Sequence, residues 1–246
     1  MNTRENETLR DYFLTRSIDL TPNGARRDST VFYAPFSNTE SVFNLCISVL
    51  TEAERQHMAR LATDGLRSAF AQRRAFRRFC AAIALGHGGD LAGNVFDVTE
   101  KGRPYLRRAP DFRFSFSSCR FGMLGAWSAT CELGIDIEDD TREIEALALA
   151  REFFTGEEAA IVEQAVSADR RSIFYQFWSL KEAALKSVGE GLPFGLDTFV
   201  FELLPTPRVV DAPGQFGSPL QFRAYPVGKG DFNAALVTQL PAGNVR

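Results

Sequence analysis

Histidine and cysteine are scarce in this chain. Its 246 residues include two histidines, His57 and His87, and four cysteines, Cys46, Cys80, Cys119 and Cys131. No two cysteines form a CxxC pair, and with so few imidazoles this argues against a structural zinc site. Any metal should be a hard cation held by oxygen rather than a soft one held by sulfur. An apolar run long enough to span a membrane is also missing. The opening "MNTRENETLRDYF" is too polar for a secretory signal. The expectation is a cytoplasmic protein with reduced thiols. A net charge of −3 gives no reason to expect a nucleic-acid or membrane partner.

What is present is an ordinary globular composition with one bias. Hydrophobic residues make up 45% and charged residues 24%, as in a folded soluble domain. Phenylalanine occurs 22 times, so aromatic packing should carry much of the core. The length allows one large domain or two small ones.

Along the chain, residues 1–30 are a polar N-terminal extension containing "TPNGARRDST", which reads as turn and loop. "TVFYAPF" predicts a short strand ending near Pro35. "LTEAERQHMARLA" predicts a helix capped by Thr51, with Glu54 completing a capping box. Over 66–85, Phe76, Phe79, Cys80 and Ile83 recur at helical spacing. "GHGGD" breaks that pattern as a plain turn, since it lacks the spacing and the Lys-Ser/Thr of a phosphate loop. Strands follow in "NVFDV", "FRFSFS", "GMLGAWSA" and "LGIDIE", helices between about 143 and 187, and strands again in "DTFVFEL", "LQFRAYPV" and "NAALVTQL". Helices followed by strands thus occur twice, which suggests two α+β halves meeting near 126–133. No close repeat of residues accompanies them.

Two stretches carry candidate chemistry. In "GIDIEDD" (134–140) side chains alternate faces, so Asp136 and Glu138 share one face and Ile135 and Ile137 the other. Paired carboxylates repel unless they are solvated or meet a cation. One reading is a strand running out into solvent, with Asp139 and Asp140 starting a helix. The other is a Mg²⁺ site. In "FWSLKEAALKSVGEG" (177–191), Glu182 and Lys186 are i,i+4 neighbours, either a surface ion pair worth about 0.2–0.5 kcal/mol or, through Glu182, the supply of a third acid.

Together, "GIDIE" and, some forty residues on, "WSLKEAALK" resemble the two signature motifs of the surfactin-synthetase-activating type of 4′-phosphopantetheinyl transferase. "REFFTGEE" and "GEGLPFGLDTF" are similar to that family's flanking segments, and a weaker likeness runs from about residue 50 to 202. The resemblance implies an enzyme that moves the phosphopantetheine arm of coenzyme A to a serine of an apo acyl or peptidyl carrier protein, releasing adenosine 3′,5′-bisphosphate. It implies an α+β fold of two similar halves related by a pseudo-two-fold, with the cofactor in the cleft between them, and a monomer. The halves would cover 31–131 and 132–246. By motif, Asp136, Glu138 and Glu182 would hold Mg²⁺. Glu182 would also act as general base, and Lys186 would contact a phosphate rather than pair with Glu182. Lys181 would play a supporting part. Arg103, in "KGRPYL", and Arg77, in "RRAFRRF", would face the cofactor phosphates.

One departure stands out. The family reads a serine and then a histidine before the strand that precedes "GIDIE". Here "FSFSSCRFG" keeps Ser117 but places Ser118 at the histidine's position and Cys119 after it. A serine supplies one neutral hydrogen bond where an imidazolium supplies a charge-assisted one, roughly twice as strong. Arg120 is the nearest candidate to compensate. The alternative is a non-catalytic module that binds coenzyme A or a carrier protein. A third reading is an unrelated Mg²⁺ phosphohydrolase. Cys119 has no histidine partner visible that would make it a nucleophile.

Overall fold

Each of two antiparallel sheets is served by one 21-residue helix. The computed structural model describes residues 8–86, 91–227 and 232–241. His87 and the rest of "HGGD" lie outside them. The elements run α1 (Leu9–Arg16), β1 (Ile18–Asp19), β2 (Thr30–Pro35), α2 (Glu40–Ser48), α3 (Glu52–Ala59), α4 (Asp64–Ala84), β3 (Phe96–Val98), β4 (Pro104–Leu106), β5 (Arg113–Cys119), β6 (Gly122–Ser128) and β7 (Glu132–Glu138). They continue with α5 (Ala146–Phe153), α6 (Gly156–Gln164), α7 (Ser167–Ser187), β8 (Val200–Glu202), β9 (Arg208–Asp211), β10 (Phe222–Pro226) and β11 (Asn233–Gln239). The class is α+β. No helix among the described residues is long and apolar enough to cross a membrane.

The first sheet has the order β1-β2-β6-β5 and the second β10-β11-β7. The β5–β6 hairpin pairs Arg113 with Ser128 and Cys119 with Gly122, and β7 pairs with β11 from Glu132↔Gln239 to Glu138↔Asn233. Two short ribbons, β3–β4 and β8–β9, stand apart.

Helix α4 begins where the Thr63 hydroxyl accepts from the Leu66 amide, satisfying one of the free donors of the first turn. Its Phe76 and Phe79 pack with Phe13 of α1 in the core under the first sheet, with ring centroids 5.3–5.6 Å apart for the two pairs involving Phe13. A fully buried phenylalanine contributes about 1.5–3 kcal/mol. The polar N-terminal extension contains a helix that was not anticipated: Leu9, Tyr12 and Phe13 lie on one side of a helix capped by Thr8 and sit in that core. Neither helix α2 nor strand β9 was anticipated. The capping box of Thr51 and Glu54 formed as expected.

A second core lies between α5, α6, α7 and the second sheet, built on Phe154, Phe174, Phe177 and Phe199. A third, smaller core joins the sheets. Val31, Leu124 and Ala126 from the first meet Leu133, Ile135, Ile137 and Leu236 from the second. There β5 runs beside β7, and the Ser115 hydroxyl accepts the Ile135 amide at 3.0 Å. The sheets therefore meet edge to edge through a side chain.

Candidate functional site

The seam between β5 and β7 collects the acids. Ile135 and Ile137 point into the joining core, which sends Asp136 and Glu138 to the opposite face, as the alternation requires. That face is not solvent. Asp136 is 2% exposed, which rules out a strand running into water, and residues 139–140 continue as coil and turn instead of starting a helix.

Helix α7 covers this face because residue 134 is glycine. A Cβ there would stand 2.0 Å from the Ala183 carbonyl oxygen and 2.4 Å from the Ser187 nitrogen. Only the missing side chain lets the helix backbone lie on the strand. The close approach brings Lys186 within 2.6 Å of Asp136 Oδ1 and 3.3 Å of Glu182 Oε2. Ser117 Oγ donates to the same Asp136 oxygen at 2.8 Å. The other oxygen of Asp136, Oδ2, is buried with no hydrogen-bond partner. Lys186 thus pairs with both Glu182 and Asp136.

The charges interact strongly. Burial pushes the Glu138 carboxyl up, and Asp136 and Glu182 add to this, to about 7. Burial and Asp136 also raise Glu182, against the pull of Lys186 and Trp178. Burial works against the Lys186 ammonium, but Asp136 and Glu182 outweigh it and hold the group above the usual lysine range. Three carboxylates here face one ammonium. Among the described residues, no three His, Cys, Asp or Glu side chains are grouped closely enough to hold a metal ion as they stand.

Two clefts open beside the acids. The first, about 260 Å³, has Glu182 and Lys186 on one side and Arg77, Lys101 and Arg103 on the other. The second, about 340 Å³, is lined by Arg73, Arg77, Phe116, Ser117 and Ser118. Arg77 and Phe116 border both, the guanidinium lying over the ring at 5.1 Å. Burial and the neighbouring arginines 74 and 73 lower Arg77 to about 10, which leaves it charged near neutral pH. Arg73 lies one turn earlier on the same helix face, and burial lowers it too. Among the described residues neither arginine has an ion-pair partner.

Arg120 does not serve Ser118. Its guanidinium pairs with Asp139 at 2.7 Å and lies over the Phe121 ring at 4.7 Å. Arg73 shares a cleft with Ser118, beside the expected Arg77, and it was missed because the helix carries arginines on several faces. The signal that finds it is the i,i+4 spacing to Arg77, readable once α4 is known to lie over Phe116.

These features invite comparison with known proteins. Residues 132–237, which contain all three acids and Lys186, match the family model of the 4′-phosphopantetheinyl transferase superfamily. A 4′-phosphopantetheinyl transferase of Bacillus subtilis is 32% identical over 126 residues, 50% of this chain and 53% of that protein. The psf-1 enzyme of Bacillus pumilus is 32% identical over 109 residues, 44% of this chain and 46% of that one. Sfp of Bacillus subtilis strain 168 is 31% identical over 136 residues, 55% and 59% of the two chains. Over residues 132–237 the chain is therefore similar to this superfamily. The matched stretch spans about half the length of these relatives.

The matched stretch also contains Lys181. It is 0% exposed, pairs with Glu158 at 2.7 Å and donates to the carbonyls of Leu196 and Phe199 at 2.9 and 2.7 Å. Glu158 in turn caps α6 and accepts the Phe201 amide. Lys181 therefore fastens the segment after α7 and faces away from the acids. Arg73, Arg77, Arg103, Ser117 and Ser118 precede the superfamily match.

Proposed function

We propose that the protein transfers the 4′-phosphopantetheine arm of coenzyme A to a serine of an apo acyl or peptidyl carrier protein. The observation that carries this reading is the carboxylate–lysine cluster at the seam, with a cation-walled cleft beside it. The two sheets, each with its long helix, would be the similar halves at 31–131 and 132–246, with coenzyme A between them.

The acids suit a hard divalent cation. Asp136 Oδ2 is buried without a partner, and Glu138 and Glu182 are pushed up by burial and by repulsion from Asp136. Asp136, Glu138 and Glu182 would hold Mg²⁺, which when bound neutralises charge on the phosphate oxygens. The rest falls to the chain's own side chains. Arg103 and Arg77 draw the pyrophosphate into the cleft. Arg73, Arg77, Ser117 and Ser118 accept the second phosphate, the 3′-phosphate. Lys186 moves from Asp136 toward phosphate oxygen as charge develops there. Glu182 takes the proton from the carrier serine hydroxyl at its carboxylate. The serine oxygen then bonds to the β-phosphorus, the bond from that phosphorus to the bridging oxygen breaks, and adenosine 3′,5′-bisphosphate departs with the electron pair.

The test incubates the protein with coenzyme A, Mg²⁺ and apo carriers from fatty-acid, polyketide and peptide synthesis, reading the mass gained by each carrier. At least one carrier should acquire the arm. Coenzyme A binding without turnover on any carrier, under conditions where a reference enzyme succeeds, would sink the reading in favour of a binding module.

A further inference from the structure

The proposed reaction leaves two acids unused that pair with cations of the cleft: Glu190, which lines it, and Glu132, which lies behind Arg103. Glu190, just past α7, is paired with Lys101 in the turn between β3 and β4. Glu132, at the start of β7, is paired with Arg103 of the same turn and with Arg113 of β5. In each case a cation from before residue 131 meets an acid from after it, so the pairs cross between the two parts of the fold. The turn lies directly against the end of α7, where a Cβ added at Gly189 would meet two atoms of the Arg103 side chain at 3.6 Å.

Four cations line this cleft: Arg77, Lys101, Arg103 and Lys186. Three of them already face a carboxylate: Lys186 has Asp136 and Glu182, Arg103 has Glu132, and Lys101 has Glu190. A cleft built only to attract anions would leave its rim cations free. Here an incoming phosphate gains Lys101 or Arg103 only by displacing an acid, so its net gain is the difference between two ion pairs. Lys101 is 61% exposed and its partner 14%, so this pair opens readily into water. Arg103 and Glu132, at 20% and 34%, are less solvated.

We propose that Glu190 and Glu132 mask the cleft cations in the ligand-free protein, closing the turn at 99–103 onto the end of α7 until a polyanion displaces them. Ligands with several phosphate charges compete successfully, and single phosphates and carboxylates compete poorly. The acids therefore set a threshold of charge for entry. That the physiological polyanion is coenzyme A rests on the reading above. The masking does not.

Calorimetry at low ionic strength, in buffer free of divalent ions, tests this with coenzyme A and inorganic pyrophosphate as probes. Glu190→Gln should tighten binding of both by about two- to five-fold, the range of an exposed ion pair, and the gain should shrink as salt rises. Glu132→Gln should act in the same direction. A ligand-free arm follows acylation of Lys101 by a succinimidyl ester with peptide mapping, and the rate should rise in Glu190→Gln. Equal or weaker anion binding in the variants overturns the proposal. So does an unchanged Lys101 rate, or failure of both anions to bind wild type and variants alike. If Glu132→Gln fails to fold, the two Glu190→Gln measurements decide. Sharpened anion binding with no transfer to any carrier would sink the transferase reading and leave the masking standing.

Discussion

At the scale of single residues, one site contains side chains with opposite demands. Asp136 is nearly buried and needs positive charge, and Lys186 supplies it at 2.6 Å. Glu182 sits at the edge of that pair, held by Lys186 at 3.3 Å, and burial and Asp136 raise its carboxyl. Glu182→Gln should lower transfer by about 10²–10⁴-fold, the usual contribution of a positioned base, with an unchanged circular dichroism spectrum. Retained activity would remove it from the role of base. Arg73→Ala should weaken coenzyme A binding by about 1.5–3 kcal/mol, the worth of a hydrogen bond to a charged group. The loss should be much smaller for the 3′-dephospho form, and equal losses for the two ligands would detach Arg73 from the second phosphate. The acids and Lys186 were legible because strand alternation and helical i,i+4 spacing are local rules. Arg73 was not, because its neighbours Arg74 and Arg78 look the same in sequence yet turn to Glu54.

At the scale of elements, the site depends on how closely α7 approaches β7. Gly134→Ala forces a methyl group against the helix backbone, where no side chain can yield. It should destabilise the protein by about 1–3 kcal/mol, as overpacking does, and separate Lys186 from Asp136. A denaturant midpoint unchanged from wild type would show that α7 does not rest on that glycine. Lys181 is the other anchor of α7. Lys181→Ala leaves Glu158 buried without its partner and should cost about 3–5 kcal/mol, read from the same denaturant curves. Sequence alone showed α3, α4, the strands at 113–138 and the helical run to 187, all marked by caps or clear periodicity. It did not show α1, α2 or β9. The apolar residues of α1 are few and set among charges, so only its docking against Phe76 and Phe79 reveals them. The β9 strand is four residues long and exists by pairing with β8.

At the scale of the molecule, the first core has its own electrostatic fastening. Glu54 caps α3 and reaches the buried Arg78 of α4 at 2.6 Å. Burial tends to raise its carboxyl, but hydrogen bonds from Arg78 and the Thr51 amide outweigh that and hold it below the usual range. A carboxyl lowered on folding adds stability that is fully present above its unfolded value and is lost as pH falls through the folded one. The wild type should therefore lose stability on the acid side more steeply than Glu54→Gln, as measured by melting temperature between neutral pH and pH 3. Parallel curves would show that the pair is not linked to folding. The joint between the sheets has a different consequence. The Ile135 amide is satisfied by the Ser115 hydroxyl, a group that belongs to the neighbouring sheet. Its hydrogen is thus a natural gauge. In deuterium exchange the protection of Ile135 reports on whether the two sheets have parted, with no label attached to the protein.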